Sequence, residues 1–183
     1  MIKVLKNPKT DKFYKLKDHI LSERFPWYYM YHTSHRSVIK DLNGYIAMEG
    51  YGHCMLGRPD NKDGVNKFTT MESKLCSECI DVLTEIIDNN NLFDNYFFLR
   101  VSANCMHSNQ GIQLSHPHVD HDFPHYNLIV YLTNTGGETF VENESHDPKE
   151  DDVILFSGEH YLKRPIKDRR VILVATIFAY DDQ

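Results

Sequence analysis

The chain has 183 residues, 41% of them hydrophobic and 25% charged. That is the composition of a single folded domain, and a chain this long buries roughly 70% of its unfolded surface without needing disulfides or a structural metal. The net charge of -6 disfavours a broad nucleic-acid footprint, no apolar run approaches the roughly 20 residues of a bilayer crossing, and Met1 to Pro8 lacks a signal-peptide core, so an intracellular, cytoplasmic protein is expected.

Along the chain, Leu16, Ile20 and Leu21 share one side of a helix predicted over Tyr14 to Arg24, which Phe25-Pro26 halts. The aromatic run Phe25 to Tyr31 suits extended, half-buried chain. Gly57 to Lys67 is dense in turn residues and reads as a loop. Thr69-Thr70-Met71-Glu72 spells a capping box. The helix behind it carries Leu75, Cys79, Val82 and Ile86 at helical spacing until Asp88 to Asn91 ends the pattern.

From Tyr96 the period becomes strand-like: Phe97 to Ala103, His118 to Asp120, Tyr126 to Thr133, Glu138 to Glu142, Val153 to Ser157 and Val171 to Phe178. Regular short strands behind two helices predict a mainly β (α+β) fold with a jelly-roll, cupin-like core, the double-stranded β-helix. Residues 1-183 form one domain in this reading, with 1-95 a helical and extended support region and 96-183 the catalytic core.

Seven of the 11 histidines fall between His107 and His160. In His118-Val119-Asp120, residues i and i+2 of a strand project to one face, so an imidazole and a carboxylate point together. His160 follows an apolar strand and is the candidate third ligand. Two histidines and one carboxylate on one face of an octahedral ion leave three positions open, which suits Fe(II) with a bidentate cosubstrate and O2. The last strand supplies an anion clamp: Arg170, Ile172, Val174 and Thr176 share one face, Arg169 and Val171 the other, and parity with the apolar face favours Arg170. Tyr131 shares a face with Asn127 and Ile129 and is a candidate second donor to the same carboxylate.

His116, His121 and His125 are read as lining the entrance or as solvated, since Pro124 breaks the i, i+4 helix that His121 and His125 would need. The Cys76-x-x-Cys79 pair has zinc-ligand spacing but no second pair, so buried structural thiols are expected, as reduced as Cys54 and Cys105. Glu150-Asp151-Asp152 reads as a solvated turn. Lys163, Arg164, Lys167, Arg169 and Arg170 form a candidate local basic patch.

Between Phe97 and Tyr180 stand, in order, Asn104, Gly111, His118-Val119-Asp120, Tyr131-Leu132, Gly136-Gly137-Glu138-Thr139, Phe156, His160, Pro165 and Arg170. In this order the chain resembles the iron- and 2-oxoglutarate-dependent oxygenases, in particular their prolyl-4-hydroxylase-like branch. The run Phe25 to Tyr29 also resembles small phage-encoded members, which implies a virus-encoded protein acting in a host cell. The resemblance implies that His118, Asp120 and His160 hold Fe(2+) and that Arg170 and Tyr131 grip the far carboxylate of 2-oxoglutarate. It further implies that O2-driven decarboxylation to succinate and CO2 is coupled to hydroxylation of a peptide or metabolite. The polar stretch His107 to Gln110 stands where many prolyl hydroxylases have tyrosines, which points away from a prolyl substrate. The loops Gly57 to Lys67 and His121 to His125 are candidate gates. The same residues also fit a cupin-like metalloenzyme with zinc or manganese and no keto acid, or a non-catalytic jelly-roll binding or virion module.

Overall fold

Alternation along the last strand decides the layering of the molecule. In the computed structural model, which describes residues 1–33, 44–59 and 68–180, Val171, Leu173, Ala175 and Ile177 face a core shared with two helices, while Ile172 and Val174 face a second apolar cluster on the opposite side. A continuous β-rich run with both faces buried is a central strand.

The elements in chain order are β1 (Lys3–Leu5), α1 (Asp11–Leu21), β2 (Tyr28–Met30), β3 (Tyr45–Ile46), β4 (Gly50–Gly57), β5 (Thr70–Met71) and α2 (Cys76–Asn89). They continue with β6 (Asn95–His107), β7 (Leu114–Ser115), β8 (Tyr126–Tyr131), β9 (Thr139–Val141), β10 (Glu144–His146), β11 (Val153–Phe156), β12 (His160–Leu162) and β13 (Arg169–Tyr180). The fold is mainly β with two helices. One large antiparallel sheet runs β1-β11-β8-β13-β6-β4-β2, with β5 beside β4; a small sheet runs β10-β9-β12, and β3 pairs in parallel with β7.

On one face of the large sheet, Leu16 and Ile20 of α1 and Val82 and Ile86 of α2 pack on Val101, Leu128 and Leu173. Each such side chain, fully withdrawn from water, contributes about 1.5–3 kcal/mol. On the other face Ile129, Ile154, Ile172 and Val174 meet Val141 of β9, so the small sheet covers the large one there. Cys76 and Cys79 are buried on the helix side and unbridged, and burial pushes the Cys79 thiol up to about 12.

Several local expectations are corrected. The capping-box spelling does not start a helix: Thr70 and Met71 pair with Gly57 and Leu56 as β5, and α2 begins after Ser73, whose Oγ accepts from the Leu75 N–H. Ser73 is in turn held by His53, which donates Nδ1–H to the Pro26 carbonyl and turns Nε2 to the Ser73 hydroxyl. Helix α1 starts three residues earlier than the apolar pattern, because Thr10 is its N-cap and accepts from Phe13 N–H.

Glu150-Asp151-Asp152 is not a free solvated turn. Lys17 of α1, 6% exposed, pairs with Glu150 and Asp151, and Asp152 accepts from Lys149 N–H and pairs with His146. The basic residues near the C-terminus do not form one patch either: Lys163 pairs with Glu138, Arg164 with Glu49, and Arg169 donates to the Leu21 carbonyl. The loop expected from Gly57 to Lys67 lies mostly outside the described residues. Among those described, no helix is long and apolar enough to cross a membrane.

Candidate metal centre

His118, Asp120 and His160 converge, each offering a ligand atom within 4.8 Å of the others. The segment 118–120 is not a ladder strand, as the sequence had suggested. It is joined at one point, where His118 N–H donates to the His160 carbonyl at 3.0 Å and His160 N–H donates back at 2.9 Å. This reciprocal pair locks the two histidines side by side, with ring centroids 4.4 Å apart.

Ring orientation follows from the second nitrogen. His118 Nδ1 lies 3.1 Å from the His116 carbonyl and His160 Nδ1 lies 3.2 Å from the Gly158 carbonyl. A carbonyl only accepts, so each Nδ1 carries the proton and each Nε2 keeps its lone pair for a metal. His160 Nε2 lies 3.6 Å from Asp120 Oδ2. Burial, and then the neighbouring His118, push the His160 imidazole down to about 4, so it is neutral at pH 7. Burial opposes ionisation of Asp120, but Arg100, the two histidines and Arg58 outweigh it and hold the carboxyl well below the usual range. Two imidazoles with Nε2 left free by their Nδ1 contacts, together with an ionised carboxylate, fit a divalent first-row metal.

These residues line a cavity between the large and small sheets, together with Arg100, Asn104, Ile129, Thr139, Ile172 and Arg170. Arg170 is 4% exposed. Its Nε donates to the Gly137 carbonyl at 3.1 Å and its Nη2 to Thr139 Oγ1 at 3.0 Å. Among the described residues it pairs with no carboxylate. Gly137 has φ +89°, and a Cβ there would meet Arg170 Cδ at 2.9 Å, so glycine is required for the backbone to approach the guanidinium. Arg169, one residue away, leaves the strand on the helix side.

Tyr131 is fully buried. Its ring lies under the guanidinium at 5.2 Å and its hydroxyl shares a 2.7 Å hydrogen bond with Thr139 Oγ1. It touches Arg170 and Thr139 and is not among the residues lining the cavity. His125 is not solvated, being buried with Nδ1 on the Phe123 carbonyl, while His121 is partly exposed and its Nε2 bonds Thr176 Oγ1 at 2.9 Å.

Sequence reasoning missed Thr139 as a partner of Arg170, and missed both Arg58 and Arg100, which reach Asp120. A charged Arg100 inside the apolar strand Phe97-Phe98-Leu99-Arg100-Val101 was the one available signal; Arg58 lies 62 residues from Asp120 and gave none.

No protein-family model and no curated protein matches the chain. Solved structures share its fold. A 2OG-Fe(II) oxygenase family oxidoreductase from Burkholderia pseudomallei is 14% identical over 86% of this chain and 75% of its own, with a TM-score of 0.61. A prolyl hydroxylase from Trichoplax adhaerens, in complex with a hypoxia inducible factor oxygen degradation domain peptide fragment, is 11% identical over 97% of this chain and 83% of its own, with a TM-score of 0.58.

Proposed function

We propose that the chain is an Fe(II)- and 2-oxoglutarate-dependent dioxygenase, a hydroxylase built on a double-stranded β-helix core in residues 96-183, with residues 1-95 as its support. The observation that carries this reading is that one cavity holds both a two-histidine, one-carboxylate cluster and a buried arginine that, among the described residues, has no acidic partner. A buried cation is costly unless an anion meets it. A diacid that chelates the metal at one end and meets Arg170 at the other satisfies both groups.

In this reading His118, Asp120 and His160 hold the iron through the two Nε2 atoms and a carboxylate oxygen, leaving the rest of its coordination sphere for ligands. Iron with 2-oxoglutarate and O2 supplies the oxidising equivalent, and the chain's own residues position and shield it. Arg170 grips the distal carboxylate of 2-oxoglutarate. Tyr131 and Thr139 act on Arg170 by fixing its plane from below and from the side, which preorganises the fork. Tyr131 stays protonated, because burial raises its hydroxyl. Ile129, Ile172 and Val174 line the cavity wall and exclude water, which protects the oxidant from quenching. The fold shared with a peptide-bound prolyl hydroxylase supports a peptide substrate, and a metabolite fits the same cavity chemistry.

The test is anaerobic reconstitution with Fe(II) and 2-oxoglutarate. Wild type should develop the weak visible charge-transfer band of that chelate and release succinate on admission of O2, and His160→Ala should abolish both. A protein that binds no metal and releases no succinate ends this reading. Arg170→Ala should cost at least tenfold in 2-oxoglutarate affinity, the loss of about 1.4 kcal/mol or more expected for a charge-assisted bond. Catalysis untouched by that change would instead favour a metalloenzyme that uses no keto acid.

A further inference from the structure

Two arginines stand on the metal-binding carboxylate, and one carboxylate does not balance them. Arg100 leaves β6 on the cavity side, paired in register with Thr176, and lines the cavity. Its partner among the described residues is Asp120 Oδ1, at a long 3.4 Å. Arg58, just past the end of β4, donates Nη1 to the Asp120 main-chain carbonyl at 2.8 Å and Nη2 to the same Oδ1 at 3.3 Å. Among the described residues neither arginine has an ion-pair partner besides Asp120. Most of the Arg100 donors therefore meet no acceptor among the described residues, although its side chain is only 20% exposed.

The imbalance grows when the centre is filled, a step that rests on the metal and diacid reading above. A divalent ion and three guanidiniums would then face one carboxylate and one dianion, leaving two positive charges uncompensated in a half-buried space. Such an excess calls for a further anion, and Arg170 has already taken the diacid. We propose that Arg58 and Arg100 dock an oxyanion carried by the substrate itself, so that the substrate class is one bearing a carboxylate or phosphate group close to the C–H bond that reacts. The Arg100 fork, which among the described residues gives only Nη1 to Asp120, suits such an anion in bidentate contact, and Arg58, its Nη1 and Nη2 held on Asp120, adds charge beside it.

The experiment uses protein loaded with Zn(II), a redox-silent stand-in, and saturating 2-oxoglutarate. Acetate and inorganic phosphate are titrated separately while the arginine Nε–H signals are followed by NMR, and the two arms separate the carboxylate from the phosphate source. At least one anion should shift the Arg58 and Arg100 signals saturably. Arg100→Gln and Arg58→Gln should each weaken that binding tenfold or more, and Arg58→Lys, which keeps the charge but not the fork, should fall between. Each variant is first checked for a retained Arg170 response to 2-oxoglutarate, which reports an intact cavity. No saturable shift with either anion, or equal affinity in wild type and both Gln variants, overturns the inference. Wild type that lacks the Fe(II) charge-transfer band fails the underlying reading; wild type that shows the band but no anion response fails this inference alone.

Discussion

Arg170 is held from three sides, by the Gly137 carbonyl, the Thr139 hydroxyl and the Tyr131 ring. Its usefulness therefore depends on small residues around it as much as on its own charge. Gly137→Ala puts a methyl group 2.9 Å from Arg170 Cδ and 3.0 Å from the Lys163 carbonyl, at a φ that L side chains rarely adopt. The side chain must swing away. The expected result is a rise of tenfold or more in the 2-oxoglutarate dissociation constant with metal affinity kept within a few-fold, measured by calorimetry on the Zn(II)-loaded protein. Equal losses in both affinities would mean that the change acts on the fold and not on the clamp.

At the scale of elements, the two helix starts show what sequence pattern can and cannot deliver. Thr10 caps α1 through Phe13 N–H and also donates to Glu85 of α2. Thr69, in the capping-box spelling, precedes a strand. Thr10→Ala should cost about 1 kcal/mol and Thr69→Ala less than about 0.5 kcal/mol, both read from urea midpoints. The reverse order would contradict the assigned helix starts. Periodicity made α2 and the strands β8, β11 and β13 legible, because each has an apolar face of constant period. It missed β4, where Gly50, Gly52 and Gly57 break the β-rich signal. A Cβ at Gly52 would meet Met30 Sδ at 2.7 Å, so the flexible end of that methionine would have to turn aside. The three imidazole and carboxylate groups were legible as candidates because they are chemically rare and two share a short motif. The arginines beside Asp120 were not, since their meeting is set by tertiary pairing of β4 and β6 and by no local pattern.

For the whole molecule, the buried centre couples stability to pH. The His160 imidazole falls from an ordinary 6.5 to about 4 in the folded state, burial being the largest cause. The unfolded chain therefore takes up a proton that the native state refuses, so stability falls as pH drops from about 6.5 towards 4 and changes little above that window. The size for His160 is about 3 kcal/mol by the same linkage. His121, also pushed down to about 4 by burial and by Arg58, acts in the same direction. Metal-free protein should show a urea midpoint that drops steadily between pH 7 and 4.5, and a flat profile there would contradict this account. A bound divalent ion competes with those protons and should blunt the fall.

Arg169 and Arg170 sit next to each other in the chain yet belong to opposite worlds, one tied to the end of α1 and the other to the cavity wall. Sliding β13 by a single residue would exchange them, turning Arg170 out to the helices and Arg169 in towards the cavity. The same slip would put Val171 and Leu173 where Ile172 and Val174 now pack, so side-chain shape on the two faces, both apolar, is what distinguishes the registers.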